Sequence, residues 1–140
     1  MAADELQNRT KAFALRIMKL SNSLTTNVAA RELARQLVRS AMSVSANYRA
    51  ARRARSRREF LAKIGIVAEE ADETQHWLEL ISESKMIPVQ RLTAIIREAG
   101  ELVAIFSSTQ KTVRMGGSRP KTIASPNGKL PNYQIARLPD

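Results

Sequence analysis

The sequence predicts an all-α protein, an antiparallel up-down four-helix bundle, on three observations. Between residues 5 and 115, apolar side chains recur at steps of three and four, the period of a helix with one buried face. The same stretch holds one proline, Pro88, and two glycines, Gly65 and Gly100, so few residues interrupt the helices. Capping signals stand where one run gives way to the next: Ser56 with Glu59 three residues on, and Pro88. Four helices joined by short connections pack most simply with each antiparallel to the next.

Each helix follows from its own stripe. The first places Leu6, Phe13, Ile17, Leu20 and Leu24 on one face. The second, roughly 27–54, turns Ala30, Ala34, Leu37, Ala41, Val44 and Tyr48 inward. The third starts at the Ser56 capping box and keeps a 4-3-4-3 spacing through Phe60, Ile64, Val67, Ala71, Thr74, Leu78 and Ile81. The fourth begins at Pro88, a residue suited to a first turn, and buries Leu92, Ile96, Ala99, Val103, Phe106 and Val113. Aromatic residues are only 4% of the 140, so aliphatic side chains and alanine must fill the core. A single domain of that length can bury about two-thirds of its unfolded surface.

The bundle is expected to span residues 1–115. Residues 116–140 hold Pro120, Pro126, Pro131 and Pro139 with Gly116, Gly117 and Gly128, and read as a disordered Pro/Gly-rich tail. The chain has no cysteine, which excludes disulfides, thiolate chemistry and cysteine-ligated zinc. The N-terminal MAADELQNRTKAF lacks the apolar run of a secretory signal, and no segment approaches 18 uninterrupted apolar residues. A cytoplasmic protein with no membrane span is expected.

Charge is concentrated. Of the net +10, residues 49–58 (RAARRARSRR) carry +6 and residues 116–140 carry +3, which leaves +1 for the other 105. A near-neutral body with two basic segments points to a polyanion or an acidic partner, not to a reaction. Arg49, Arg52, Arg53, Arg55, Arg57 and Arg58 are therefore the candidate phosphate-binding residues. Arginine's planar fork suits phosphate oxygens, and such contacts position a protein without reading bases.

Two helix flanks remain after the core is assigned. On the third helix Glu69, Asp72, His76, Glu79 and Glu83 share an outward face, while Ile66, Trp77 and Leu80 share a flank beside Glu70 and Glu73. That flank is either a subunit contact or a cover over a neighbouring helix of the same bundle. The second helix offers a small polar flank with Ser40, Ser43 and Asn47, suited to close approach of another backbone. With the two helices antiparallel and turning near residue 56, position i faces about 112 minus i. Arg39 then meets Glu73, and the acids from 69 onward begin about 16 Å beyond Arg58.

The run RSAMSVSANYRAARRARSRREFLAKIGIVAEEADETQHWLELISES, residues 39–84, resembles one family. The matching residues are Arg39-Ser40-Ala41, Ser43-Val44, Ala46-Asn47-Tyr48-Arg49, Glu59-Phe60, Lys63-Ile64, Glu70-Ala71, Glu73-Thr74 and Trp77-Leu78, followed by Glu101-Leu102 and Phe106. The family comprises four-helix-bundle proteins encoded in intervening sequences of bacterial 23S ribosomal RNA genes. The chain is also similar to accessory variability proteins of diversity-generating retroelements. The resemblance covers about residues 9–114 and implies a homopentameric barrel with a basic surface for nucleic acid, RNA or DNA. It brings in a reverse transcriptase as a candidate protein partner and implies no enzymatic activity. Two departures stand out: Ala50-Ala51 where the family often has an acid, and Ser45 where a glycine is frequent.

Glu73-Thr74-Gln75-His76 has the Glu-x-x-His spacing of di-iron bundles, but those need two copies and further inward acids. The chain holds one histidine, and the helical angles turn it outward. No cofactor or metal is expected, and neither a Gly-rich phosphate loop nor a Ser/His/Asp arrangement is present. The expected function is therefore non-enzymatic nucleic-acid binding by a homo-oligomer, with Ser40, Ser43, Asn47, Ile66, Trp77 and Leu80 at the subunit interface. The alternative is a protein-interaction scaffold whose arginines pair with an acidic partner or a neighbouring subunit.

Overall fold

The computed structural model describes residues 2–116. Four helices make up this part of the chain: α1 (Ala2–Ser21), α2 (Val28–Arg52), α3 (Arg57–Glu83) and α4 (Val89–Arg114). Each packs on the next and α1 closes onto α4, so the architecture is the up-down bundle the periodicity predicts. The predicted tail, beyond Gly116, lies outside the described residues.

The helix ends are set by local chemistry. Asn27 caps α2, its side chain accepting from the Ala30 amide at 2.8 Å. Ser56 caps α3 as the capping box predicts, its Oγ accepting from the Glu59 amide at 3.0 Å. The returning contact differs slightly: the Glu59 carboxylate accepts from the Arg55 amide, at 3.2 Å, one residue before the cap. Pro88 stands just outside α4, with ψ 135, and the helix proper starts at Val89. The end of α3 is a Schellman motif: the Met86 amide bonds the Ile81 carbonyl and the Lys85 amide bonds that of Ser82. Its left-handed position, φ 58, is occupied by Lys85 where glycine would be easier.

The core is continuous from end to end. Phe13, Ile17, Leu37, Tyr48, Ile64, Leu78, Leu92, Leu102 and Phe106 are each at most 1% exposed. Tyr48 and Phe106 meet ring to ring across the bundle with centroids 5.2 Å apart. In α4 the buried stripe is Leu92, Ile95, Ala99, Leu102, Ile105, Phe106 and Val113. Ile96 and Val103, expected inside, are half-buried. Two neighbouring apolar residues compete at each place, and α1 and α3 together select the earlier one.

Specific contacts fix the helices in register. Arg39 on α2 pairs with Glu73 and, at 3.3 Å, with Glu70 on α3. One residue on, Ser40 and Thr74 bond across the same seam with their oxygens 2.8 Å apart. Between α3 and α4 a Cβ on Gly100 would stand 2.9 Å from Gln75 Nε2, and one on Gly65 would stand 3.1 Å from Gln110 Nε2. The two glycines thus make room for glutamines laid across from the opposite helix. Arg9 clamps α1 to α4, reaching Glu98 at 2.6–3.1 Å and Glu101 as well. The hydrogen bond to Glu98 is the main cause holding the Arg9 guanidinium above its ordinary range.

Candidate nucleic-acid interface

The arginine segment spans the end of α2, the turn and the start of α3. Ala51 and Ala54 are buried beneath it, with Phe60 below the first turn of α3. Alanine at those positions lets the turn sit close on the core and sends the arginines between them outward. Arg49, Arg52, Arg53, Arg55 and Arg58 are exposed and Arg57 is half-buried. The structure thus brings all six predicted residues to one end of the bundle.

They are not equivalent. The Arg52 side chain donates to the Gln7 side chain on α1, and Arg57 donates to the Val113 carbonyl at the end of α4, at 3.3 Å. Arg55 reaches Glu59 at 3.8 Å, but its side chain is 91% exposed, so this pair contributes little. Arg49, Arg53 and Arg58 make no ion pair with a described acid. Arg52 and Arg53 also stand at the C-terminal end of α2, where positive charge complements the helix dipole.

Glu5, two residues before Gln7 on α1, shares this end of the bundle, whereas the acids of α3 beyond Glu59 are engaged or lie further along that helix. Glu70 and Glu73 are held by Arg39, whose guanidinium lies above its ordinary range through hydrogen bonds first to Glu70 and then to Glu73. The pairing of Arg39 with Glu73 is the register the 112-minus-i rule predicts. Glu69, Asp72, Glu79 and Glu83 are exposed on the outward face of α3, as is His76. Among the described residues no group of three or more His, Cys, Asp or Glu could hold a metal ion. No helix among them is long and apolar enough to cross a membrane.

Two further cations belong to this end and escaped the sequence reading. Lys111 and Arg114 lie in the last turn of α4, which the Arg57 bond to Val113 ties to the arginine turn. The signal was available, because an up-down bundle must end its fourth helix beside its second connection. The sequence pattern also does not show a shallow apolar groove lined by Ala34, Arg35, Val38, Arg39 and Met42 of α2 with Ser21 at the end of α1.

The predicted interface residues divide. Ile66 and Leu80 are 37% and 38% exposed on the flank of α3. Trp77 is half-buried against the core, with Nε1 buried and unbonded among the described residues and its ring 5.3 Å from that of His76. Ser43 and Asn47 are half-buried, and the Asn47 amide donates to the Ser43 carbonyl and hydroxyl within α2. Ser40 requires a correction. It is fully buried and bonded to Thr74, so the backbone it admits is α3 of its own chain, not another subunit. Its angle lies between the core stripe and the flank, and α3 packs over it.

No curated protein matches the chain. A crystal structure of a Bacteroides thetaiotaomicron protein of unknown function from the S23 ribosomal protein family is similar in sequence and fold. The two are 32% identical with a TM-score of 0.68, over 76% of this chain and 98% of that one. The Arg39–Glu73 register, the capped α2–α3 turn and the core as far as Phe106 fall within residues 4–108, which match the 23S rRNA-intervening sequence proteins, and the chain belongs to that family.

Proposed function

We propose that this protein is a non-enzymatic nucleic-acid binding bundle, working as a homo-oligomer of pentameric type and holding RNA or DNA through phosphates. The observation that supports it is the exposed arginine turn. Arg49, Arg53, Arg55 and Arg58 project into solvent, while Glu70, Glu73, Glu98 and Glu101 are engaged by Arg39 and Arg9. Lys111 and Arg114 widen the same basic end. The family's link to 23S ribosomal RNA genes agrees with a nucleic-acid partner. Repetition around a ring turns a weak contact per subunit into avidity when one strand reaches several subunits. The exposed flank of Ile66 and Leu80 beside Trp77 is the surface assigned to subunit contact.

Salt dependence tests the reading. With about one phosphate engaged per subunit of a pentamer, log K against log salt should have a slope of about −3.5 to −4.5. Arg53, Arg55 and Arg58 replaced together by serine should flatten that slope while circular dichroism and molar mass stay unchanged. Should the variant lose its assembly and keep its nucleic-acid affinity, the arginines are interface residues and the scaffold function replaces this one.

A further inference from the structure

At the opposite end of the bundle, α1 and α4 enclose a cleft of about 220 Å³ lined by Arg16, Lys19, Leu20, Arg91 and Ile95. Ile95 is buried and Leu20 half-buried, so the floor is apolar, whereas the three cations are exposed around it. No acid lines the cleft, and the first turn of α4, which contains Arg91, has none. The acids further along α4, Glu98 and Glu101, are clamped by Arg9. Glu98 also stands about 10 Å along the helix from Arg91. Arg91 Nη2 donates to Ser23 Oγ at 3.0 Å, which steadies the guanidinium at the rim.

Three cations gathered on an apolar floor repel one another until an anion joins them. Two guanidinium forks and one ammonium are the donor set that phosphate oxygens take best. The volume is below the roughly 300–1,000 Å³ of sites that enclose drug-sized ligands, so it fits a phosphate-sized group and not a whole nucleotide. We propose that this cleft is a phosphate site, taking a compact phosphate dianion presented free or at the end of a larger molecule. The site shares no residue with the arginine turn and stands or falls independently of the nucleic-acid reading.

Calorimetric titration of the full chain with inorganic phosphate at low salt tests it. Saturable binding is expected. Arg91→Gln and Lys19→Gln should each weaken it about tenfold, the scale of one charge-assisted contact. Arg35→Gln on α2 and Arg97→Gln on α4, both outside the cleft lining, should leave it unchanged. All four positions are exposed, so circular dichroism should show an intact bundle in every variant. Oligonucleotides with and without a 5′-phosphate separate the two sources. A gain from the 5′-phosphate that disappears in Arg91→Gln assigns the cleft to strand ends. Inorganic phosphate binding without such a gain assigns it to free phosphate, and either result upholds the site. Absence of saturable binding, or an equal loss in Arg35→Gln, overturns it.

Discussion

Replacing Leu102 by alanine tests which face of α4 is buried. Leu102 is fully buried, whereas Val103, about 100° further round the helix, is half-buried. Leu102→Ala removes three carbons from a packed site and should cost about 3 kcal/mol, within the roughly 2–5 kcal/mol seen for such changes. Unfolding entropy for the 115 described residues is about 0.24 kcal/mol per kelvin, so Tm should fall by about 12 °C. Val103→Ala removes two methyl groups already partly in water and should cost less than about 1 kcal/mol, or about 4 °C. Thermal melts followed by far-ultraviolet circular dichroism read both. A larger loss for Val103→Ala would mean that α4 is rotated by one residue and that Ile96 and Val103 face the core.

Three further outcomes are expected. Ser40→Ala and Thr74→Val should each cost only about 1 kcal/mol, because Thr74 keeps the Glu70 carbonyl at 2.7 Å and Ser40 that of Leu37 at 3.2 Å. The double variant should fall short of the sum by about 0.5 kcal/mol or more, with molar mass unchanged in light scattering; dissociation by Ser40→Ala would place that residue at a subunit contact. Lys85→Gly should raise stability by up to about 1 kcal/mol, since the left-handed position penalises a Cβ, and a drop in urea midpoint would contradict this. Trp77→Ala should weaken self-association more than Glu79→Ala does, measured by sedimentation; equal effects would make Trp77 only a cover over its own core.

The second and third helices were legible almost to the residue, for physical reasons. A short turn and a serine cap leave one way to fold the hairpin, and the helical rise then fixes Arg39 opposite Glu73. The fourth helix was less legible because Ile95-Ile96 and Leu102-Val103 are apolar pairs. Stripes of 4-3-4 and 3-4-3 spacing both run through Leu92, Ala99 and Phe106, and only the neighbouring helices decide between them. The arginine cluster was visible as composition, but its internal differences were not. That Arg52 reaches Gln7 and Arg57 reaches Val113 depends on helices about 45 and 56 residues away in the chain. Ser40 was misassigned for a related reason: a small residue shows that something comes close without saying what.

The bond from Arg57 to the Val113 carbonyl, with that from Arg52 to Gln7, has a practical consequence. An even number of antiparallel helices returns the chain to the end from which it set out, and here that is the arginine end. A domain or affinity tag fused ahead of α1, or joined directly after Gly116, is therefore delivered beside the guanidinium cluster. Surface capture through such a tag would turn that face toward the support and crowd out a strand. Moving the termini to the α3–α4 turn by circular permutation would present the arginines to solution.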